Sequence, residues 1–304
     1  MPDTSVAAAT AATPRSLTDP RFLIPLALIA LYVIWGSTYL GIRFALESYP
    51  PFLLAGIRFL CAGLVLYGFL RLRGITPPTP LQWRNAAVTS VFLLGLGNGL
   101  VCFAEQQVSS GIAAVAVASM PLFAALFTGM YGEWPNRRES VGLVVGFAGV
   151  IVLNLGSSLS GSRLGALALL AAAAAWAFGS AWSRRREMPP GPMNTAAQMI
   201  CGSIALLAFA LLSGEQLPAH PSLRSTLAIA YLAVFGSIIA FSAYLYVLKR
   251  ARPALATSYA YVNPPVAVLF GVLLAGEHVG ASELAGMAII LFGVAVITLA
   301  KRKR

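Results

Sequence analysis

The sequence predicts an all-α membrane protein with ten transmembrane helices, arranged as two inverted five-helix repeats around a central cavity. Three observations predict this class: an apolar composition, apolar segments of membrane-spanning length, and an internal repeat whose loop charges reverse between its two copies. Of the 304 residues, 58% are hydrophobic and 10% are charged, whereas soluble domains contain roughly 45–50% apolar and about 25% charged residues. This composition excludes a soluble enzyme.

Ten apolar segments have the length of membrane-spanning helices. A hydrocarbon core about 30 Å thick requires roughly 20 helical residues, whereas a transmembrane barrel would show alternating segments of about ten residues. With loop breakers and charges as boundaries, the predicted helices 1 to 10 cover 22–45, 52–70, 86–106, 111–131, 140–156, 163–183, 195–213, 226–248, 254–275 and 282–300. We expect 1–21 and the basic 301–304 to be cytoplasmic tails, the first of them disordered, and the connections are too short for a soluble domain.

The distribution of Lys and Arg predicts the orientation of these helices. Bases in short loops mark the cytoplasmic side of a membrane protein. If the N-terminus is cytoplasmic, the outside loops hold only Arg163 and Arg224. The inside segments then carry most of the 21 bases, namely Arg15, Arg21, Arg71, Arg73, Arg84, Arg137, Arg138, Arg184, Arg185, Arg186, Lys249, Arg250, Arg252 and 301–304. We therefore expect a multi-pass protein of the inner (plasma) membrane with both termini in the cytoplasm, and its net charge of +11 requires no nucleic acid as partner.

An internal repeat relates the two halves of the chain, 22–156 and 163–300. Without gaps, 111–155 aligns with 255–299, and the shared landmarks are Pro121 with Pro265, Gly132-Glu133 with Gly276-Glu277, Glu139 with Glu283, Gly142 with Gly286 and Gly149-Val150 with Gly293-Val294. Because each half contains an odd number of predicted helices, the second copy must be inverted, and the loop charges reverse accordingly. Inverted repeats are recurrent in secondary transporters, whose substrate site lies at the repeat interface near the membrane midplane. The residues alone therefore predict a carrier of small solutes.

Several motifs of the chain also resemble those of a known family. They are Trp35-Gly36-Ser37-Thr38 with Arg43 in helix 1, Arg58 in helix 2, the proline of helix 4 followed by Gly132-Glu133, the glycine-rich helix 5, and the repetition of the last two features in helices 9 and 10. With these motifs the chain resembles the drug/metabolite transporter superfamily, and within it the ten-helix exporters with two EamA domains, of the YddG type. The resemblance implies export of amino acids, often aromatic ones, and related metabolites by alternating access across the inner membrane. Met120 stands where many members have an acidic residue before the helix 4 proline, so no role of that carboxylate is expected here.

Helix 1 carries the first candidate substrate-binding residues. Steps of three, four and four residues place on one stripe of this helix Tyr32, Trp35, Tyr39 and Arg43. Aromatic rings with a cation nearby suit a solute that has an apolar body and a carboxylate. Helix packing and anchoring at the membrane interface are the alternative roles, but Trp35 lies roughly 15–20 Å along the helix, at 1.5 Å per residue, which is too deep for an anchor. Thr38 belongs to the family motif.

Arg58 is a charged residue within the apolar segment of helix 2. An unpaired charge inside a membrane helix costs at least about 2.5–3.5 kcal/mol on insertion scales. Arg58 should therefore face protein or water. A structural tie to helix-end carbonyls or to Glu47, and contact with substrate, remain equally open at this point.

The inverted repeat pairs further polar and aromatic residues. Weaker alignments of the first parts of the two halves match Trp35 with Trp176 and Arg58 with Gln198. Such residues could form hydrogen bonds between helices or contact the substrate, and the sequence favours neither role. The complete set of candidate substrate-binding residues is Trp35, Thr38, Tyr39, Arg43, Arg58, Asn98, Ser119, Trp176, Gln198, Tyr244, Tyr259 and Asn263.

Several motifs are missing from the sequence, and their absence constrains the mechanism. It contains no Walker A, H-E-x-x-H or G-x-S-x-G motif, so an enzyme or an ATP-driven pump would lack its usual residues. No cofactor, metal site or disulfide is expected, because the three cysteines all lie in apolar segments. The glutamates Glu47, Glu105, Glu133 and Glu277 lie at predicted helix ends. Proton-driven carriers commonly use an embedded carboxylate, so facilitated export is favoured, with proton antiport as its rival.

Other functions remain open beside the export of a small-molecule substrate. A proton-coupled multidrug or metabolite efflux carrier would share the fold. A receptor or scaffold that does not transport, and a membrane-embedded transferase, are less favoured, because the first has no need of inverted repeats and the second lacks a carboxylate cluster. Gly142 and Gly146 have G-x-x-x-G spacing, for which packing within the chain is preferred to dimerisation. We expect a monomer or weak dimer in the lipid bilayer.

Overall fold

The computed structural model of the protein describes 20–107, 117–153, 163–275 and 281–300, and the regular secondary structure in these ranges is helical. Within these ranges there is no strand. Six helices are long and apolar enough to cross a membrane, and two shorter apolar helices cover Met120–Met130 and Leu284–Leu299. The predicted all-α membrane class is therefore confirmed, whereas the count of ten membrane spans stays a prediction.

The helices of the structure follow the predicted segments. In chain order they are α1 (Pro20–Ala30, the π-helical Leu31–Trp35 and Gly36–Leu46), α2 (Pro51–Leu72), α3 (Pro80–Ser90, the π-helical Val91–Asn98 and Gly99–Ala104), α4 (Met120–Met130), α5 (Arg137–Leu153), α6 (Arg163–Ser183), α7 (Pro192–Leu212), α8 (Leu223–Tyr231, the π-helical Leu232–Phe241 and Ser242–Arg250), α9 (Tyr259–Ala275) and α10 (Ala281–Leu299). A four-residue helix, Pro253–Ala256, precedes α9. The tails, the first part of predicted helix 4, the end of helix 5 and the Gly276-Glu277 landmark lie outside the described residues.

Helix α3 begins at Pro80, six residues before the predicted start at 86. The Thr79 hydroxyl accepts a hydrogen bond from the backbone N–H of Gln82 over 3.2 Å, and the Gln82 side chain accepts one from the Thr79 N–H over 3.1 Å. This capping box, with proline in the first helical position, stabilises a polar first turn. The prediction began too late because it followed the apolar residues alone.

Polar contacts at the helix ends divide the loops into two sets. At one end of the molecule, Arg224 at the start of α8 pairs with Glu47 after α1 over 3.5 Å. At the other end, Arg185 after α6 pairs with Glu133 after α4 over 3.0 Å. If successive helices run in alternating directions, α4 and α6 end on one side of the molecule and α1 ends on the other. Both ion pairs fit this arrangement.

The closest helix pair joins the two halves of the chain. A Cβ atom on Gly149 of α5 would lie 2.7 Å from the backbone nitrogen of Ile290 on α10, and one on Gly293 would lie 2.7 Å from the backbone nitrogen of Gly146. Only glycine permits this backbone contact, which is a common device where membrane helices pack. A Cβ on Gly142 would likewise lie 2.8 Å from the carbonyl oxygen of Gly293, so the prediction that Gly142 and Gly146 serve packing within the chain is confirmed.

Candidate functional site

A cavity of about 100 Å³ lies among α1, α2, α3, α4, α6, α8 and α9. One buried water needs at least about 10–15 Å³ of such space, so the cavity has room for a small solute. It is lined by eight of the predicted substrate-binding residues, namely Trp35, Thr38, Tyr39, Arg58, Asn98, Trp176, Tyr259 and Asn263. Its other lining residues are Ile42, Phe59, Leu94, Gly97, Val101, Val117, Met120, Ala172, Ala173, Gly236 and Phe241.

Three π-helical segments contribute to the cavity wall, one each in α1, α3 and α8. Such segments are rare and occur often at functional sites, because the wider turn redirects side chains and backbone groups. In α8, the carbonyl oxygen of Gly236 accepts a hydrogen bond from Nε1 of Trp35 over 3.0 Å. In α3, Gly97 leaves space for the Trp176 ring, since a Cβ there would lie 2.8 Å from Cε3 of that ring.

Arg58 places a buried positive charge in the wall of this cavity. The residue is only 3% exposed, and its Nη2 donates a hydrogen bond to Oδ1 of Asn98 over 2.9 Å. Nε and Nη1 are buried and have no hydrogen-bond partner among the described residues. Glu47, the carboxylate considered as its partner, pairs with Arg224 instead. A buried charge is stable only when it is paired or well hydrogen-bonded, and the two unpaired nitrogens of Arg58 are able to donate to an anionic group.

Four aromatic rings meet on one side of the cavity and are called the aromatic cluster: Trp35, Trp176, Tyr244 and Tyr259. The Trp35 centroid lies 5.6 Å from that of Trp176, 5.4 Å from Tyr244 and 4.7 Å from Tyr259. Tyr244 does not line the cavity; it is fully buried behind the other rings, with its hydroxyl 2.5 Å from the hydroxyl of Ser180. Tyr244 follows the cavity-lining part of α8 toward Arg250, so the cluster lies between the cavity and the basic end of this helix.

Asn263 offers an acceptor within the same cavity. It lies in α9 directly before Pro264 and Pro265 and is 3% exposed. Its Oδ1 is buried and has no hydrogen-bond partner within the described ranges. The cavity thus combines unpaired donors on Arg58 with an unpaired acceptor on another helix, between aromatic walls.

Besides Tyr244, three predicted residues do not line the cavity. Arg43 is exposed in the last turn of α1, because a helix advances about 100° per residue and this turns Ile42, rather than Arg43, to the side of Trp35. Gln198 is fully buried on α7, and its amide donates to the Asn194 side chain one turn earlier. Ser119 is buried beside Met120, which does line the cavity.

Glu105 is a further candidate residue, which its position at a predicted helix end had not indicated. It caps the C-terminal end of α3, on the same helix face as Asn98 and Cys102, which precede it by seven and three residues. Its Oε1 is buried without a hydrogen-bond partner in the described part of the chain. The charge of Arg58 acts on this carboxylate. The seven-residue spacing from Asn98 was the signal in the sequence that could have identified it.

Comparison with known proteins shows to which family the chain belongs. The model of the EamA-like transporter family matches residues 22–155 and 163–299. The chain belongs to this family. The superfamily inferred from the motifs is thereby confirmed, and the chain is a membrane transporter.

Individual relatives extend the similarity along nearly the whole chain. The chain is 48% identical over 284 residues to the "Uncharacterized inner membrane transporter YedA" of Escherichia coli strain K12, covering 92% of this chain and 93% of the relative. It is 27% identical over 271 residues to "Protein PecM" of Dickeya dadantii strain 3937, covering 87% and 88%. A solved crystal structure with 24% identity matches with a TM-score of 0.74 over 91% of this chain and 97% of the other, which shows a shared fold.

Proposed function

We propose that this EamA-family transporter exports amino acids with apolar or aromatic side chains across the inner membrane, by facilitated alternating access without ATP. The proposal includes ten membrane spans, inverted repeats over 22–156 and 163–300, and both termini in the cytoplasm. The inner-membrane location agrees with the printed name of the Escherichia coli relative. One observation carries the substrate class: the buried guanidinium of Arg58 has two unpaired N–H-bearing nitrogens in an aromatic-walled cavity.

The groups of an amino acid match those of the cavity. A carboxylate binds a guanidinium through charge-assisted hydrogen bonds, which are stronger than neutral ones. The unpaired Oδ1 of Asn263 is an acceptor for an ammonium group, which is also attracted to the face of an aromatic ring such as Trp35. An apolar side chain would pack against the rings of Trp176 and Tyr259. A lipophilic cation fits less well, because it would have to lie beside Arg58.

The aromatic cluster is the proposed gate of the transport cycle. Hydrogen bonds between the hydroxyls of Ser180 and Tyr244, 2.5 Å apart, and of Tyr32 and Ser258, 2.7 Å apart, support the layer around the cluster. In this proposal, breaking these hydrogen bonds opens the cavity toward the basic loops at the cytoplasmic side. The opposite side of the cavity closes at the same time.

Uptake into proteoliposomes tests the substrate class directly. Purified protein would be reconstituted and offered radiolabelled Phe, Thr, Leu or a lipophilic cation, with and without an imposed pH gradient. Saturable uptake of Phe and Leu that does not respond to the gradient is the expected result. Uptake of the cation alone would refute amino-acid export and move the protein to the multidrug class.

A second candidate, proton-coupled efflux, is favoured by Glu105. A carboxylate with a buried, unpaired oxygen is the kind of group that relays protons in carriers. The two candidates differ in one measurable respect: a proton-coupled carrier concentrates substrate when only a pH gradient is supplied. Gradient-driven accumulation that is lost in Glu105→Gln would select this second candidate.

A further inference from the structure

A second and larger cavity, of about 710 Å³, lies apart from the Arg58 site. It is bounded by the first part of α1, the connection between α6 and α7, and the second part of α8. None of the residues that line it lines the cavity at Arg58. It is therefore a separate groove.

Positive charge is concentrated at one end of this groove. Arg186, Lys249 and Arg250 all line it, and among the described residues none of the three has a carboxylate partner. The acidic group of the groove, Glu133, is already paired with Arg185 over 3.0 Å and with Arg184 over 3.6 Å. Three bases thus share a recess with no anion to balance them, which makes the recess complementary to a negatively charged group.

Aromatic rings hold two of these bases in place. The guanidinium carbon of Arg250 lies 4.0 Å from the centroid of Tyr246, and that of Arg186 lies 4.9 Å from the centroid of Trp182. Cation–π contacts of this kind restrict the side chain while leaving the N–H groups along the guanidinium edge free to donate. Both bases are therefore partly preorganised for an anion.

The other end of the groove is apolar and open to the side. Leu26 on α1 is 62% exposed and Ile239 on α8 is 42% exposed, and both line the groove. Ile239 precedes Arg250 by three turns of α8, or roughly 16 Å at 1.5 Å per residue. This length corresponds to about half of a 30 Å hydrocarbon core, which is the depth of one leaflet.

We propose that this groove binds one anionic phospholipid, with its phosphate at Arg186, Lys249 and Arg250 and an acyl chain between α1 and α8 as far as Ile239. Basic recesses between membrane helices on the cytoplasmic side are suited to acidic lipid headgroups. A free phosphate would satisfy the bases but leave the apolar end empty. The length of the groove, its lateral opening and its uncompensated charge together favour the lipid.

Native mass spectrometry of the full-length protein in detergent tests the charged end. Phosphatidylglycerol would be titrated against phosphatidylcholine of the same acyl chains, with the double variant Lys249→Gln, Arg250→Gln beside the unaltered chain. The unaltered protein should bind phosphatidylglycerol in preference, and the variant should bind it about tenfold more weakly. The matched control, Arg71→Gln, Arg73→Gln, removes the same charge at the end of α2, outside the groove, and should bind normally. If both double variants bound phosphatidylglycerol equally weakly, the loss would reflect total positive charge rather than the groove, and the proposal would be overturned.

Two further measurements distinguish the lipid from other occupants. Ile239→Trp leaves every base in place but fills the apolar end, so it should also lower the bound fraction of phosphatidylglycerol; unchanged binding would overturn the placement of the acyl chain. Inorganic phosphate should fail to displace the lipid, and displacement at millimolar concentration would show a phosphate site instead. If Ile239→Trp stopped solute uptake while lipid binding persisted, the groove would be part of the transport route and the proposal would be wrong.

Discussion

Asn98 binds only one of the nitrogen atoms of the Arg58 guanidinium. Its Oδ1 accepts from Nη2 over 2.9 Å, while Nε and Nη1 have no partner among the described residues. The amide of Asn98 therefore orients the guanidinium without neutralising it. The positive charge and two of its nitrogens remain available to a ligand in the cavity.

Replacing Arg58 by Gln should abolish most amino-acid uptake. Loss of a buried hydrogen-bonded charge pair with a ligand costs about 2–5 kcal/mol, so kcat/KM in proteoliposomes should fall by roughly 30-fold or more. Arg43→Gln is the matched control, because Arg43 is exposed and does not line the cavity. Equal activity of the two variants would remove Arg58 from the substrate site.

Replacing Trp35 or Trp176 by Ala should weaken uptake without loss of expression. Each ring lines the cavity, and an aromatic contact is worth about 0.5–1.5 kcal/mol beyond its area, so KM for Phe should rise several-fold. Trp134→Ala serves as control, since Trp134 is 63% exposed and lies outside the cavity. Unchanged uptake in both cavity variants would exclude these rings from the site.

Replacing Gly149 by Val should destabilise the protein. The new side chain would meet the backbone of Ile290, and overpacking of this kind costs typically about 1–3 kcal/mol. The melting temperature, followed by size-exclusion chromatography after heating, should fall. Gly68→Val tests the same substitution where a Cβ meets nothing within 4 Å. Equal losses in both variants would show that helix propensity, rather than packing, is responsible.

Cysteine labelling tests the proposed orientation. In a background without the native cysteines, Ser160→Cys should react with an impermeant reagent from outside, and Glu187→Cys only from the cytoplasmic side. Ser160 lies outside the described residues, whereas Glu187 follows α6 in the basic loop. The reverse labelling pattern would refute cytoplasmic termini.

The sequence predicted the helices well because apolar length alone determines where a chain can cross a bilayer. Predicted helix 6 has the observed bounds, Arg163–Ser183. The start of α3 was missed because its first turn is stabilised by Thr79 and Gln82 rather than by apolar residues. A helix start that depends on a capping box can be predicted only if the capping residues are identified in the sequence.

Contacts within the candidate site could be predicted where they follow from spacing along one helix or from the internal repeat, which matches Trp35 with Trp176. Helical spacing put Trp35 and Tyr39 on one face, and both line the cavity. The same reasoning failed for Arg43, since small angular errors accumulate over successive turns. The hydrogen bond between Arg58 and Asn98 joins two helices. It depends on how α2 and α3 pack, which the spacing of residues along one helix does not predict.

The contact between α5 and α10 has a consequence for motion. Gly142, Gly146 and Gly149 on one helix meet Gly293 and Ile290 on the other, backbone against backbone, and each helix comes from a different half of the chain. Neither helix can slide past the other without a collision between main chains, because a Cβ on Gly149 or Gly293 would already lie 2.7 Å from a backbone nitrogen of the facing helix. The two halves of the chain are therefore held together along this contact. The alternating access proposed above would then proceed by rotation of the helices about this contact rather than by sliding along it.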